Sequence, residues 1–381
     1  MSRQEVWKVA RLFFKLGAIS FGGPAAHIAL MEQEVVRKRG WLDQEHFLDL
    51  LATTNLIPGP NVLEMAIHIG QVRAGWPGLI AAGTAFIFPA FVISLALSWG
   101  YVHLGTLPQG QALFYGINPV VMAIILVACY RLGKTALKGK FQALLGGLAF
   151  AAALMGANEV LILLAAGIAG MALLTPPQAR PRHTPMGLIF PLMPLLAAAP
   201  DSLRWLDARL PQLGLFFLKV GTFLFGTGMV LFAFIQHDVV DRFGWLTQQQ
   251  LLDAIAVGQM TPGPVLSSAT FIGYLVSGWQ GALVATIAVF LPSFIITVLI
   301  GPIIPRLRQS PVTQAFFKGV NAAVVALILA VSLSVFQSAI VDGWTVLILV
   351  ASLVALLRYR VDTLWLVFGG AAVGLLHFLL A

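Results

Sequence analysis

The sequence predicts an all-α polytopic membrane protein made of two inverted-topology repeats, with helix breaks or re-entrant segments at Pro-Gly-Pro and Phe-Gly-Gly-Pro. Three observations support this fold class: an apolar composition, an internal duplication, and a reversal of loop charge between the two halves. Of the 381 residues, 59% are hydrophobic and 10% are charged, and the mean hydropathy is +0.90. Since a soluble domain carries about 25% charged residues, this chain cannot cover itself against water.

Apolar segments close to the length that spans a bilayer recur along the chain. They lie at 79–99, 114–130, 141–155, 160–174, 216–235, 282–304, 316–336, 346–357 and 364–380. None alternates with period 2, so helices are favoured over an outer-membrane barrel. A single cysteine, Cys129, excludes an intramolecular disulfide. The net charge of +8 comes without a dense basic tract, which indicates charged cytoplasmic loops rather than nucleic-acid binding.

The two halves of the chain are copies of one module. The first reads FKLGAISFGGPAAHIALMEQEVVRKRGWL and the second reads LKVGTFLFGTGMVLFAFIQHDVVDRFGWL. Matched residues are 204 positions apart from Lys15 through the first Pro-Gly-Pro, and 203 apart from Gly75 onward. Because Gly, Pro, Trp and Asn stay aligned over a hundred positions, we expect a tandem duplication. The predicted domains are residues 1–177, a linker at 178–209, and residues 210–381.

Loop charge predicts that the halves lie in opposite orientations. Residues 130–140 contain four basic side chains, whereas the matching segment 336–344 contains none. Conversely, the loop at 103–110 lacks Lys and Arg, and its counterpart contains Arg306 and Arg308. Since basic loops stay on the cytoplasmic side, this reversal is typical of the inverted repeats of secondary transporters.

The linker must then cross the membrane once. Its basic segment at 180–183 is expected in the cytoplasm, while the second half must begin outside. The segment Met186–Pro200 is the candidate crossing, which places the N-terminus in the cytoplasm and the C-terminus outside. Without that crossing, the N-terminus lies outside; Arg3, Lys8 and Arg11 favour the first version.

Pro-Gly-Pro at membrane depth breaks a helix, and the freed backbone is tolerated only inside protein or beside a cavity. Pro60 suits the first turn of a new helix, so the following N–H groups and the helix dipole favour an anion. Because the motif recurs at Pro262–Pro264, two such ends are predicted to face one another near the midplane. Phe21–Pro24 and the matching 225–228 predict a second pair of breaks, where glycine permits close backbone approach.

Two lysines in apolar sequence, Lys15 and Lys219, precede these glycines at matched positions. An intramembrane ionisable group is a functional candidate, although a lysine can instead extend its ammonium to the interface. Lysines beside helix breaks suit a small oxyanion. The predicted substrate-binding residues are Lys15, Gly22, Gly23, Pro58, Gly59, Pro60, Asn61, Lys219, Gly226, Thr227, Pro262, Gly263 and Pro264.

Five further titratable residues are candidates for coupling transport to an ion: His27, Glu64, His68, Asp49 and Asp253. The histidines have Leu231 and Phe271 as counterparts and are alternatively packing residues. Glu64 is replaced by Ser267 or Ser268, and the matched aspartates are alternatively helix-end hydrogen-bond acceptors. Asn118 and Asn321 are either ligand contacts or interhelical bonds.

The motifs give no sign of an enzyme. No Walker loop and no zinc constellation is present, so we expect no ATP-driven transport, no catalytic residues, no cofactor and no metal.

Four stretches carry a family resemblance: FGGPAAHIALMEQEVVRKRGWL, NLIPGPNVLEMAIHIG, FGTGMVLFAFIQHDVVDRFGWL and QMTPGPVLSSATFIGY. They resemble the bacterial chromate ion transporter family, in its long-chain two-domain form, over residues 5–175 and 210–380. The resemblance implies about thirteen spans in the inner membrane and chromate resistance by export from the cytoplasm. It also implies a driving force from the membrane potential or proton gradient, and competition by sulfate. The chain departs from this pattern at Thr227-Gly228, where the first half has Gly-Pro.

Together these observations predict a secondary active transporter that exports chromate by alternating access at a midplane oxyanion site. A dianion leaving a negative interior gains about 2.3 kcal/mol per charge per 100 mV, so no ATP is required. A carrier of sulfate or another tetrahedral oxyanion, or an anion channel, stays open as an alternative. The expected partners are the oxyanion and the lipid bilayer, not nucleic acid, and a homodimer is also left open.

Overall fold

A computed structural model describes residues 3–20, 24–54, 59–105, 107–175, 209–224, 228–300 and 310–380. The predicted crossing Met186–Pro200 and nearly all of the predicted linker lie outside these ranges. So do five of the predicted site residues: Gly22, Gly23, Pro58, Gly226 and Thr227.

Within the described ranges, each half contributes seven helices in the same order. In the first half these are α1 Arg3–Ile19, α2 Pro24–Glu32 with a π-helical continuation Gln33–Lys38, α3 Gln44–Thr54, α4 Asn61–Leu104, α5 Pro108–Ala136, α6 Lys140–Leu154 and α7 Glu159–Leu174. In the second half they are α8 Arg209–Phe223, α9 Leu231–Phe234 continued by Ile235–Arg242, α10 Gln248–Met260, α11 Ser268–Ile300 after a 3₁₀ turn Val265–Ser267, α12 Pro311–Ala339, α13 Gly343–Val354 continued by Ala355–Tyr359, and α14 Thr363–Leu380.

The helices α4 and α11 are each a tight hairpin of two arms. The backbone leaves helical geometry at Ala74 and Gly75, where Gly75 has φ 61°, and it repeats this turn at Gly278 with φ 61°. The backbones of the two arms are in direct contact, as shown by Gly70, where an added Cβ would overlap the carbonyl of Gly78. Small residues permit such close helix contact. Residues 61–73 and 268–276 therefore form short arms, and residues 76–104 and 279–300 form long arms.

Five described helices are long and apolar enough to cross a membrane: 61–104, 108–136, 265–299, 311–339 and 363–380. Three shorter apolar helices lie at 140–154, 159–174 and 343–359. The described ranges therefore contain fewer candidate spans than the thirteen or so that the family resemblance implies. The reason is that the chain before each long arm is divided by breaks into short helices.

The two halves interlock through contacts that are preserved when the halves are exchanged. α1 packs on α4 as α8 packs on α11, while α6 and α7 pack on α12 as α13 and α14 pack on α5. α4 also packs on α11, and α5 on α12. This pattern is that of a pseudo-two-fold axis between the halves. It confirms the predicted all-α polytopic membrane protein with two repeats.

Candidate functional site

Both Pro-Gly-Pro motifs interrupt the helical structure immediately before a short arm. Gly59 has φ 148° and Gly263 has φ 90°, conformations that residues with a Cβ rarely adopt. Pro60 is extended at φ −76° and ψ 103°, and helix α4 begins at the next residue, Asn61. Pro264 is likewise extended before the 3₁₀ turn that leads into α11. The predicted helix starts after Pro-Gly-Pro are therefore present in both halves.

Each break lies against the other half of the molecule. A Cβ on Gly59 would come 2.8 Å from the Ser293 Oγ, and one on Gly263 would come 3.3 Å from the Ala90 Cβ. Ser293 and Ala90 occupy matched positions, one residue after the prolines of the two long arms. In addition, the Gly263 N–H donates to the carbonyl of Ser20, 3.1 Å away, where the first half approaches its Phe-Gly-Gly-Pro segment. Each Pro-Gly-Pro break thus contacts the long arm of the other half.

Buried polar atoms without partners lie beside the first break, and others lie one helical turn further along α4 and α11. Glu64 is fully buried, and neither of its carboxylate oxygens has a hydrogen bond. Its Oε1 fills the space next to Gly59 that a Cβ there would need. Other atoms of this kind are the Nε2 of His68 and the hydroxyls of Ser293 and Thr297. Since buried polar groups are nearly always paired, this group of atoms indicates a place for a polar ligand.

The second break is surrounded by hydroxyls instead. The Thr261 hydroxyl lies 3.3 Å from the Ser94 Oγ and donates to the Val257 carbonyl at 2.6 Å. Ser267, one of the two serines that can match Glu64, is buried and its hydroxyl has no partner. The two half-sites therefore share a backbone geometry but differ in chemistry.

Both predicted lysines are neutralised by ion pairs at matched positions. Lys219 is 2% exposed and lies 2.5 Å from Asp238, which Arg242 also approaches at 3.5 Å. Lys15 is 53% exposed and lies 3.1 Å from Glu34. Lys219 is therefore not extended to the interface. Neither lysine is a free cation.

Glu34 is the acidic centre of the first of these ion pairs. Lys38 lies 3.1 Å from its carboxylate, and Arg39 also contacts it. Burial acts to raise the pKa of Glu34, but the hydrogen bonds from Arg39, Lys38 and Lys15 outweigh it and lower this pKa to about 2. Glu34 is therefore ionised at physiological pH, and it holds the start of the protein together rather than exchanging a proton.

Of the two matched aspartates, only Asp253 is inserted into the helix bundle. Its carboxylate accepts hydrogen bonds from the Tyr101 hydroxyl at 2.7 Å, the Asn118 amide at 3.3 Å and the Gln249 amide at 3.0 Å. These groups line a cavity of about 570 Å³ between α4, α5, α10 and α12. Asn118 thus bonds one helix to another, one of its two predicted roles. Asp49, by contrast, is exposed on α3.

The same asymmetry in burial extends along the whole of the matched helices α3 and α10. Residues Leu251–Gly258 of α10 are all buried, whereas α3 buries only Phe47 and Thr54. Asn118 is buried, and its counterpart Asn321 is exposed. The remaining predicted coupling residue, His27, is buried with its ring at the edge of Phe86, 6.0 Å between centroids. The helix α10 and Asn118 are therefore buried, whereas their counterparts α3 and Asn321 are exposed.

Sequence reasoning missed the side chains that the other half supplies. It did not single out Ser293, Thr297, Asp238 or Tyr101. The only signal for Asp238 was that an acidic residue follows the lysine by 19 positions in both halves. Hydroxyls in apolar helices carry no comparable signal.

Known proteins resemble the chain over nearly its whole length. The family model described as Chromate transporter matches residues 7–171 and again residues 211–375. A chromate transport protein of Cupriavidus metallidurans is 33% identical over 369 residues, which cover 96% of this chain and 92% of the relative. A probable chromate transport protein of Synechococcus elongatus is 35% identical over 320 residues, covering 83% and 81%. A chromate transport protein of Pseudomonas aeruginosa is 31% identical over 339 residues, covering 85% and 80%. No solved structure matches the chain.

The family model matches once in each half, in agreement with the duplication seen in the sequence and in the helix order. The relatives are named as transport proteins and not as enzymes. The chain is a multi-pass membrane protein that belongs to the chromate transporter family.

Proposed function

We propose that this chain is a secondary active transporter that exports chromate across the bacterial inner membrane by alternating access. The observation that carries the proposal is that each Pro-Gly-Pro break contacts the long arm of the other half, with buried, unpartnered polar atoms beside the first break. Among the described residues, the site comprises 59–61 and 262–264, with Ser293 of the second half beside Gly59 of the first. N–H groups at the starts of the short arms and the nearby hydroxyls supply donors to a tetrahedral oxyanion.

The lysines take part in this proposal through their ion pairs rather than by direct contact with the oxyanion. Lys219 is enclosed with Asp238, while Lys15 lines an open pocket that also contains Lys8, Arg11 and Arg39. A basic pocket of this kind raises the local concentration of an anion. With the predicted orientation, in which the N-terminus is cytoplasmic and the C-terminus external, this pocket receives the oxyanion from the cytoplasm.

The asymmetry of the halves supports alternating access. In an inverted-repeat transporter, one state has one half open and the other closed, and the second state exchanges them. Here α10 is buried against Asn118, and the matched α3 is exposed, as is Asn321. We propose that α3 docks through Asp49 in the second state while α10 withdraws. Export of a dianion gains about 4.6 kcal/mol per 100 mV, at 2.3 kcal/mol per charge.

A carrier whose physiological substrate is sulfate is the second candidate, because sulfate has the same charge and shape. A channel is less favoured, because the hydrogen bond between Gly263 and Ser20 joins the halves where the arms cross. A carrier saturates and shows counterflow, whereas a channel conducts without either.

The test is chromate flux into everted membrane vesicles, with and without sulfate. We expect saturable chromate uptake that sulfate inhibits, and a weaker apparent affinity in Ser293→Ala. The matched control is Thr84→Ala, which removes an exposed hydroxyl from the other long arm. Absence of chromate flux at a normal membrane level of protein would reject the substrate, and flux without saturation would favour the channel.

A further inference from the structure

Glu64 is a buried carboxylate that the binding of an oxyanion does not by itself explain. It is 0% exposed, both oxygens lack hydrogen bonds, and it lies beside Gly59 near Ser293. An ionised carboxylate in these surroundings loses its hydration and gains nothing in return. Such surroundings favour the neutral, protonated carboxyl over the carboxylate.

The neighbouring charged groups do not neutralise Glu64. On its own arm, His68 follows one turn later with its Nε2 unpartnered, and α11 presents Ser293, which does not titrate. On the other elements packed against α4, the titratable residues closest in sequence to a break are Lys15 on α1, His27 on α2, Asp49 on α3 and Asp253 on α10. Lys15 is engaged by Glu34 and Asp253 by its three hydrogen bonds, and the salt bridges of the described residues do not include Glu64.

We propose that Glu64 binds a proton that is carried together with each oxyanion. The proposal rests on the proposed function, because it assigns the coupling ion of the same site. An ionised Glu64 would repel a dianion at the start of the short arm, whereas a protonated Glu64 removes the repulsion and offers an O–H donor. Proton and oxyanion thus assist each other's binding, which is the requirement for movement in the same direction.

The stoichiometry follows from the asymmetry of the two halves. The position matched to Glu64 is occupied by Ser267 or Ser268, and neither serine titrates in the physiological range. One proton then accompanies one oxyanion. The net charge moved is one negative charge instead of two, and the process responds to the pH difference as well as to the potential.

Steady-state accumulation in proteoliposomes distinguishes these cases. The membrane potential is clamped with potassium and valinomycin, the pH difference is set separately, and labelled chromate or sulfate is measured on both sides. The parent protein should change the accumulation ratio about tenfold per ~59 mV and tenfold per unit of pH difference. Glu64→Gln has a permanently neutral side chain of the same shape. In this variant the accumulation ratio should change about a hundredfold per ~59 mV and should not depend on the pH difference. Glu159→Gln, which changes a buried carboxylate outside the proposed site, should keep the response of the parent to the pH difference.

The outcomes separate this inference from the proposed function. Transport by the parent at two charges per cycle without a pH response leaves the transporter standing and overturns the role of Glu64. The same holds if Glu159→Gln loses the pH response and Glu64→Gln keeps it. No transport of either anion by the parent overturns both.

A second variant and a second measurement cover the case in which Glu64→Gln does not transport. Glu64→Ser copies the residue of the other half and should also move two charges. Infrared spectroscopy of the purified parent should show the carbonyl band of a buried protonated carboxyl that is missing in Glu64→Gln. A band that persists unchanged in the variant would overturn the assignment.

Discussion

Replacing Lys219 by alanine is expected to destabilise the protein far more than the same change at Lys15, although the two lysines are counterparts. Lys219 and Asp238 are 2% and 0% exposed at 2.5 Å, whereas the Lys15 side chain is 53% exposed. Removing one partner of a buried pair costs about 3–5 kcal/mol, while an exposed pair contributes about 0–1 kcal/mol. Arg242 remains 3.5 Å from Asp238 in the variant, so we expect the lower end, about 3 kcal/mol.

The assay is thermal unfolding of the purified protein in detergent, alongside the level of each variant in the membrane. A loss of about 3 kcal/mol corresponds to a fall in Tm of roughly 5 °C or more, and Lys15→Ala should fall by about a degree. Lys219→Met combined with Asp238→Leu is the matched control, since replacing both partners avoids an unpaired buried charge and should recover most of the loss. Equal shifts for the two alanine variants, or a double variant as unstable as Lys219→Ala, would refute the reasoning.

Three further predictions concern the break, the exchange of states and the effect of acid. Gly59→Ala should abolish transport because its Cβ would meet buried side chains, whereas Gly40→Ala, also at positive φ but with open space, should cost only about 1 kcal/mol; equal transport by both variants would contradict this. Cysteines at Asp49 and Asn321, in a cysteine-free background, should crosslink during turnover and lock transport; crosslinking that leaves flux intact would count against docking of α3. Because the pKa of Glu34 is lowered to about 2, its stabilising ion pairs should be fully present above about pH 4.5 and be lost as the pH falls toward 2. The Tm values of the parent and of Glu34→Gln should therefore converge only in acid. A difference in Tm that already disappears near neutral pH would contradict this pH dependence.

The sequence was sufficient to predict the breaks because they depend on local chemistry. Proline lacks the N–H that a helix interior requires, and Gly59 and Gly263 take up the positive φ that residues with a Cβ rarely adopt. The duplication then placed the same break in both halves. Burial of Lys219 could also be expected, since its surroundings in the chain are apolar.

What the sequence could not provide is the pairing between segments far apart in the chain. Ser293 lies beside Gly59 only because the two long arms cross, and the Tyr101 hydroxyl reaches Asp253 over 152 positions. The difference in exposure between Asn118 and Asn321 is also invisible in a sequence that repeats. A duplicated sequence predicts equal halves, whereas a transporter between cycles occupies a state in which they differ.

The asymmetry of side chains has a different origin from the asymmetry of conformation, and the two suit different tasks. Conformation can be exchanged between the halves, since Asp49 and Asn321 carry the same groups as Asp253 and Asn118. Glu64 cannot be exchanged, because its counterpart is a serine in every state. A motion between two states related by the pseudo-two-fold axis requires equal residues in the two halves. Neither state is then lower in free energy because of a difference in sequence. A carboxylate in only one half suits a fixed stoichiometry, since a second carboxylate at the matched serine would bring a second proton. Under these two proposals, the duplication supplies the motion, and the carboxylate present in only one half sets what moves with the oxyanion.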